Sequence, residues 1–222
     1  MAQVLIIGAS RGIGLEFVRQ YRAAGDRVVA TARSEEALAA LRALGATALK
    51  LDVADTASAS GLAWQIDGHQ FDLVVLNAGV YGPRHSGLET PTEAEFDAVM
   101  HTNVLGPMRV LPQLVDALAP GARIGLLSSR MGSLGLRTAH AGWLYRASKA
   151  ALNSVMKDAS LALAGKASLC SFHPGWVRTE MGGAGADIDV QTSVSGMRSV
   201  LGALSSHQSG SFFNYDGQPL AW

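Results

Sequence analysis

A tyrosine and a lysine lie four residues apart in the segment Tyr145-Arg146-Ala147-Ser148-Lys149, which otherwise has the pattern of an apolar helix. Residues at positions i and i+4 share one face of a helix, so the Lys149 ammonium can lie beside the Tyr145 phenol. A free phenol has a pKa of about 10, and a neighbouring cation lowers that pKa toward the range useful for general acid–base catalysis. The same spacing also arises where a surface lysine lies near a packed tyrosine. The rest of the chain must decide between the two interpretations.

A second candidate site is a glycine-rich loop, Gly8 to Gly14, with the spacing Gly-x-x-x-Gly-x-Gly. Glycines let the backbone turn sharply and approach a pyrophosphate, and a helix N-terminus offers free N–H groups and the positive end of its dipole. The spacing differs from the Gly-x-Gly-x-x-Gly fingerprint, and such a turn can be purely structural. Its position between the first apolar run and the first helical pattern favours a dinucleotide-binding loop.

The residues after the second apolar run indicate which dinucleotide fits. Arg33 lies there, and no acidic residue occurs before Glu35. An acid at this point would hydrogen-bond a ribose 2′-hydroxyl and repel a 2′-phosphate, whereas an arginine favours the phosphate. Arg11 in the glycine loop is a second candidate cation. Both arginines can also be merely solvated, but their placement without an acid favours NADP(H) over NAD(H).

The elements that position these residues alternate along the chain. The predicted strands are Val4–Ile7, Arg27–Thr31, Ala46–Leu51, Phe71–Leu76, Ala122–Ser128 and Ala167–Phe172, with Ser209–Asn214 as a last run that can add a seventh. The predicted helices are Gly14–Ala24, Ser34–Leu44, Thr56–Ile66, Glu93–Leu118 with a break at Gly106-Pro107, Leu144–Leu163 and Asp189–Leu204. Near-continuous apolar strands separated by helices indicate a parallel sheet covered on both faces. The sequence therefore predicts one α/β domain, residues 1–222, with a doubly wound sheet of about seven strands, a Rossmann fold.

Composition excludes several classes of function. The 18 basic and 18 acidic side chains give a formal net charge of zero, which argues against a nucleic-acid or polybasic membrane surface. The single cysteine leaves no disulfide framework, and no apolar stretch approaches the ~20 residues of a membrane span. Strand-like residues from Gln3 leave no room for a signal peptide. The histidines show no paired spacing, so no metal site is expected. We therefore expect a soluble, cytoplasmic protein.

Taken together, these motifs resemble the short-chain dehydrogenase/reductase family nearly end to end. Besides the glycine loop and the Tyr145/Lys149 pair, the matching elements are Asp52 after the third strand, Asn77-Ala78-Gly79, Asn103, Ser129 and the segment from Pro174 to Thr179. The residues that these matches assign to catalysis are Asn103, Ser129, Tyr145 and Lys149. The residues predicted to contact the cofactor are Gly8, Ser10, Arg11, Gly12, Ile13, Gly14, Arg33, Asp52, Val53, Asn77, Ala78, Gly79, Tyr145, Lys149, Pro174, Gly175, Val177 and Thr179.

The roles follow from the residue types and from the resemblance. Tyr145 would exchange a proton with the substrate oxygen, and Ser129, preferred here over Ser128 and Ser133, would donate a hydrogen bond to the same oxygen. The resemblance implies that Lys149 also holds the nicotinamide ribose and that Asn103 anchors a water in a proton relay. Asn103 can alternatively be a helix-interruption residue.

The segments around Ser129, Tyr145 and Pro174 are most similar to a branch containing C-factor signalling proteins, sniffer and related carbonyl reductases. Two departures from the family pattern occur: Ile7 replaces the usual threonine, which removes one hydrogen bond to the glycine loop, and a longer loop than usual separates Ser129 from Tyr145. Residues 132–144 and 176–190 are therefore the predicted substrate loops, and the glycine-rich stretch from Glu180 to Val190 is predicted to be a mobile lid.

The predicted function is an NADP(H)-dependent oxidoreductase that transfers a hydride between nicotinamide and a carbonyl or secondary alcohol, such as an aldehyde, ketone or quinone. The alternative, which the C-factor resemblance allows, is a dinucleotide-binding signalling or regulatory protein with little turnover. Small residues on the helix Leu144–Leu163, together with the resemblance, suggest a homodimer or homotetramer.

Overall fold

The computed structural model describes all residues from 1 to 222 and contains one sheet of seven parallel strands. In chain order these are β1 (Gln3–Ile7), β2 (Arg27–Ala32), β3 (Thr47–Lys50), β4 (Phe71–Leu76), β5 (Leu118–Leu127), β6 (Ala167–His173) and β7 (Ser211–Asn214). Their order across the sheet is β3-β2-β1-β4-β5-β6-β7. The doubly wound α/β fold predicted from the sequence is therefore confirmed.

Eight α-helices connect or follow these strands. They are α1 (Gly12–Ala23), α2 (Glu35–Ala43), α3 (Thr56–Ser60), α4 (Leu62–Gln65), α5 (Glu93–Met100), α6 (Gly106–Leu114), α7 (Trp143–Ala162) and α8 (Val190–Ala203). A π-helical segment, His101–Leu105, joins α5 to α6. None of the helices combines the length and the apolarity that crossing a membrane requires. No three His, Cys, Asp or Glu side chains stand together in a way that could hold a metal ion.

The core consists of two apolar layers, one on each face of the sheet. Alternate residues of β1 enter different layers: Leu5 and Ile7 pack on one face, and Val4 and Ile6 pack on the other. Helices α3, α4, α6 and α7 contribute to the first layer, and α1, α2 and α8 to the second. Because both faces are buried, the strands are apolar at nearly every position instead of alternating.

Two predicted helices are interrupted in the structure. Gly61 separates α3 from α4, and glycine is a weak helix former. The predicted helix Glu93–Leu118 is divided by the π-helical segment and its last α-helical residue is Leu114. Strand β5 starts at Leu118, earlier than predicted, because Leu118 pairs with β4 ahead of a bulge. Regular pairing with β6 begins at Ala122, where the predicted strand starts.

The strand order places a crevice at one point of the sheet. The chain runs outward from β1 through β2 to β3, and then returns to β4 on the other side of β1. At such a switch point the connections leave the ends of β1 and β4 in opposite directions, so a crevice opens beyond the carboxyl ends of the strands. The motifs that follow β1, β4 and β5 all lie at this edge.

Candidate active site

A cavity of about 430 Å³ opens at the carboxyl ends of the strands. The predicted cofactor residues that line it are Gly8, Ser10, Arg11, Gly12, Ile13, Arg33, Asp52, Val53, Asn77, Ala78, Gly79, Tyr145, Lys149, Pro174 and Thr179. Gly14, Gly175 and Val177 do not line it, and neither do Asn103 and Ser129. The structure also adds residues that sequence reasoning missed. They include Thr31 and Thr102, whereas Arg178, Glu180 and Val190 belong to the segment 176–190 that was predicted as a substrate loop and not as part of the cofactor site.

The glycine loop requires glycine for reasons of space at two positions. A Cβ on Gly8, whose φ is +87°, would lie 2.7 Å from the Ala78 Cα. A Cβ on Gly14 would lie 2.1 Å from the carbonyl oxygen of Gly8. Gly14 therefore acts through the close packing of the loop, not through the cavity wall. The N-cap residue of α1, Arg11, makes no side-chain capping bond, so the first N–H groups of the helix are free to bind an anion.

Two neighbouring strands hold this loop in place. The Thr31 hydroxyl accepts a hydrogen bond from the Gly8 N–H at 3.0 Å. The Asn77 side-chain amide donates to the Gly8 carbonyl at 2.6 Å. The sequence predicted that Ile7 leaves the loop without one side-chain hydrogen bond. Because β2 pairs directly with β1, Thr31 supplies a side-chain bond from a position that motif reading did not consider.

The outer end of the cavity carries two exposed cations, each beside a carboxylate. Arg11 forms an ion pair with Glu180, and both side chains are about 70% exposed. The Arg33 guanidinium lies 3.7 Å from the Asp52 carboxylate. Asp52 also accepts a hydrogen bond from the Ala54 N–H at 3.0 Å. Glu180 is 169 residues from Arg11 in the chain, and no local pattern in the sequence connects the two.

The inner end of the cavity brings together the predicted pair on α7. Tyr145 is 8% and Lys149 is 4% exposed. The Lys149 ammonium donates to the Leu127 carbonyl at 2.8 Å and lies 5.6 Å from the centre of the Tyr145 ring. The Ser129 hydroxyl lies close enough to the Tyr145 phenol to lower the pKa of that phenol. These three side chains form the polar cluster that the sequence motifs predicted.

Burial changes the acid–base properties of this cluster. It raises the pKa of Tyr145 above its ordinary value, the Ser129 hydrogen bond lowers that pKa in part, and Tyr81 raises it further. Burial also lowers the pKa of Lys149 to about 8. The sequence predicted that Lys149 depresses the pKa of Tyr145. The structure gives the opposite direction because loss of hydration outweighs the other influences on the phenol.

Asn103 and the competing serines have separate environments. Asn103 is fully buried in the π-helical segment. Its amide oxygen accepts a hydrogen bond from the Val80 N–H at 2.8 Å. Its amide nitrogen donates to the Val80 carbonyl at 2.8 Å and to the Ser148 hydroxyl at 2.9 Å. It thereby ties the loop after β4 to α7. The hydroxyl of Ser128 donates to the Lys149 carbonyl at 3.4 Å, and that of Ser133 to the Ala221 carbonyl at 2.7 Å.

The segment after β6 is closed at its base. Val177 and Ile188 form a parallel bridge. The Arg178 N–H donates to the Ile188 carbonyl at 2.9 Å, and the Arg178 guanidinium donates to the Ala186 carbonyl at 3.2 Å. The predicted lid, Glu180 to Val190, therefore overlaps a bridged residue at Ile188 and the first residue of α8 at Val190. Of the predicted lid, residues 180–187 lie between the bridge positions Val177 and Ile188 and belong to neither the bridge nor a helix.

The comparisons with known proteins agree with this geometry. A model of the short chain dehydrogenase family matches residues 2–211. C-signal of Myxococcus xanthus is 38% identical over 154 residues, which cover 68% of this chain and 92% of that protein. A short-chain dehydrogenase/reductase from Burkholderia multivorans with bound NADP has a TM-score of 0.91 and 31% identity, covering 100% of this chain and 99% of the other. Carbonyl reductase Sniffer of D. melanogaster has a TM-score of 0.88 and 30% identity, covering 100% of both chains.

Proposed function

This chain belongs to the short-chain dehydrogenase/reductase family of oxidoreductases, and from that premise we propose that it is an NADP(H)-dependent carbonyl reductase. The observation that carries the proposal is that Tyr145 and Lys149 line the inner end of a cavity, with Ser129 beside the phenol, and that the outer end has a glycine loop and two arginines. The resemblance to Sniffer and to the NADP-bound Burkholderia structure supports both the substrate class and the cofactor.

The residues of the cavity fit NADP(H). The free N–H groups at the start of α1 suit the pyrophosphate, and Gly8 leaves room for it. Arg11 and Arg33 suit the 2′-phosphate, and Asp52, with the Asn77–Gly79 segment, borders the adenosine side. When bound, the cofactor supplies or accepts the hydride. The protein binds it, orients it against the substrate and moves the proton.

The proton step belongs to Tyr145. Because burial raises its pKa, the phenol stays protonated at neutral pH and can donate its proton to the developing alkoxide. The Ser129 hydroxyl, which lies beside the phenol, donates its one proton to the same substrate oxygen. Lys149 is the cation beside Tyr145 and borders the cavity where the nicotinamide ribose would lie. Asn103 has a positioning role, since its side-chain amide is bonded to Val80 and Ser148.

The substrate walls are proposed to be residues 132–144 and 176–190. Met181 and Thr179 from the second of these loops line the cavity. The first loop runs from residue 132 into the first turn of α7, and its last residue, Leu144, directly precedes Tyr145. Assembly into a homodimer or homotetramer and a cytoplasmic location stay predictions.

A second candidate function is a dinucleotide-binding signalling protein with little turnover, and the 38% identity to C-signal favours it. Turnover of a panel of aldehydes, ketones and quinones with NADPH, beside a calorimetric titration with NADPH, separates the two functions. We expect binding together with reduction of at least one class of carbonyl. Tight NADPH binding with no turnover across the panel would favour the signalling protein, and absence of binding would contradict both functions.

A further inference from the structure

Tyr81, in the loop after β4, lies directly against the proposed general acid. Its ring centre is 4.6 Å from that of Tyr145, with an angle of 24° between the planes. Such close stacking fixes the relative orientation of two rings and stabilises the pair beyond the effect of the buried area. No motif discussed above includes Tyr81, and the two tyrosines are far apart in the sequence.

A second contact of Tyr81 leads through Arg84 to the loop after β6, part of which lines the cavity. The Arg84 guanidinium lies 5.1 Å from the centre of the Tyr81 ring, a cation–π distance. Arg84 also donates to the Met181 carbonyl at 3.0 Å. A continuous series of contacts therefore runs from Tyr145 through Tyr81 and Arg84 to the loop after β6.

The hydroxyl end of Tyr81 packs against the start of α7. A Cβ on Gly142 would lie only 2.5 Å from the Tyr81 hydroxyl oxygen, so glycine leaves the space that this contact needs. The Gly142 N–H donates to the His85 carbonyl at 3.0 Å. Since Gly142 is the N-cap residue of α7, residues 81–85 hold the turn of helix that presents Tyr145.

From this geometry we propose that Tyr81 is a positioning residue for Tyr145. Its ring covers the phenol, fixes the direction in which the hydroxyl points and keeps water away from it. Arg84 holds Tyr81 in this position and links it to the loop after β6. The role rests on the proposed function, because orienting Tyr145 matters for turnover only if Tyr145 exchanges the proton.

The proposal predicts a change in pH dependence when the ring is removed. The groups around Tyr145 are Lys149 on its own helix, Ser129 after β5 and Tyr81 after β4, with Arg84 beyond Tyr81. Burial is the largest cause of the raised pKa of Tyr145, so admitting water lowers that pKa. Carbonyl reduction needs the protonated phenol. The alkaline limb of the kcat profile should therefore move to lower pH.

Two variants divide the role of the ring from that of the hydroxyl. Tyr81→Leu removes the ring, and we expect kcat to fall by about 10- to 100-fold, because small misplacements of catalytic groups have effects of that size. Its alkaline limb should move to lower pH. Tyr81→Phe keeps the ring and should retain kcat within about threefold, with the limb near its original position. NADPH affinity and the urea-unfolding midpoint are measured for both variants.

The outcomes distinguish this proposal from the proposed function. If Tyr81→Leu leaves both kcat and the alkaline limb of its pH profile unchanged, the proposed role of Tyr81 is wrong. A lower kcat with an unmoved alkaline limb would also overturn it, because that result indicates only a smaller folded fraction. If Tyr81→Leu does not fold, Arg84→Ala is the substitute test, because it removes the cation that holds the Tyr81 ring. An unchanged kcat together with an unmoved alkaline limb in Arg84→Ala overturns the proposal. Full turnover by Tyr145→Phe would instead overturn the proposed function, whatever Tyr81→Leu does.

Discussion

The two ends of the cavity hold charged and polar groups in opposite ways. At the outer end, Arg11 and Arg33 are exposed and each lies beside a carboxylate. At the inner end, Tyr145, Lys149 and Asn103 are buried, and the ammonium and the amide are hydrogen-bonded to backbone carbonyls. The outer end thus offers cations held by solvent-screened pairs, and the inner end offers groups fixed by direct bonds.

This difference separates binding from chemistry. Exposed ion pairs contribute only about 0–1 kcal/mol, so Arg11 and Arg33 can exchange a carboxylate for a phosphate with little penalty. Leaving a buried polar group without its hydrogen-bond partner costs about 1–3 kcal/mol of stability or more. The inner cluster therefore keeps one arrangement. Substitutions at the outer end should change the affinity for NADPH by modest factors. Substitutions at the inner end should lower turnover by orders of magnitude or change how the stability of the fold depends on pH.

The largest effect is expected for Tyr145→Phe. Removing the phenolic hydroxyl removes the proton donor, so kcat should fall by about 10²- to 10⁴-fold, while NADPH affinity stays nearly unchanged because the ring remains. Single-turnover kinetics and an NADPH titration measure the two quantities separately. Retention of full turnover would show that another group supplies the proton.

Cofactor preference tests the outer end. Arg33→Ala should weaken NADPH binding by about tenfold, the size of one charge-assisted hydrogen bond of ~1.5 kcal/mol. NADH binding should barely change, because it lacks the 2′-phosphate. Arg27→Ala is the matched control, since Arg27 is an exposed arginine at the opposite end of β2. Equal losses for NADPH and NADH would contradict the assignment of Arg33 to the phosphate.

Much of this comparison follows from the sequence, but unevenly. The apolar runs predicted every strand because both faces of the sheet are covered, and the glycine spacing predicted the loop at the end of β1. Contacts between distant parts of the chain were missed. The hydrogen bond from Gly8 to Thr31, the ion pair of Arg11 with Glu180 and the stack of Tyr81 on Tyr145 depend on how segments meet in space. Local spacing carries no signal for such contacts.

The direction of the Tyr145 pKa was missed for a related reason. The spacing of Tyr145 and Lys149 correctly placed the cation near the phenol, but the amount of water excluded from the pair depends on every element packed around α7. Burial raises one pKa and lowers the other. A sequence motif predicts which groups are neighbours, and the packed structure is needed to learn how much solvent they retain.

The buried lysine should make stability depend on pH. The pKa of Lys149 is about 8 in the folded protein and 10.5 for a free lysine. Between those values the unfolded chain binds more protons at this site, so the contribution of Lys149 to stability rises with pH. Cys170 and Tyr145, whose pKa values are raised from 9.0 and 10.0, act in the opposite direction above those pH values. Cys170 and Tyr145 are present both in the wild type and in Lys149→Met, so the difference in stability between the two proteins removes their influence.

We expect the free energy of unfolding of the wild type, relative to Lys149→Met, to increase by about 1 kcal/mol from pH 8 to pH 9. Urea unfolding at the two pH values measures it, and Lys50→Met provides the matched exposed lysine. A difference that does not change with pH would mean that the Lys149 ammonium keeps its hydration in the folded protein.

The smallest effect is expected at Glu180, which shares Arg11 with any phosphate bound at the outer end. Glu180→Gln removes the competing carboxylate without changing the size of the side chain. NADPH affinity should rise by about two- to fivefold, which corresponds to at most ~1 kcal/mol for an exposed pair, and the gain should shrink at high salt. Glu93→Gln, on the exposed face of α5, is the matched control.

The same substitution also tests the loop. The ion pair of Glu180 with Arg11 joins the loop after β6 to the glycine loop. Glu180→Gln removes this ion pair, so amide exchange should become faster between Met181 and Ala186. Exchange at Arg178 and Ile188, whose N–H groups are bonded across the base of the loop, should stay slow. Adding NADPH should slow exchange at the tip again if this stretch closes over the cofactor. Weaker NADPH binding by Glu180→Gln would reverse the interpretation, because it would mean that the Arg11–Glu180 pair holds the loop over bound cofactor and does not compete with the phosphate.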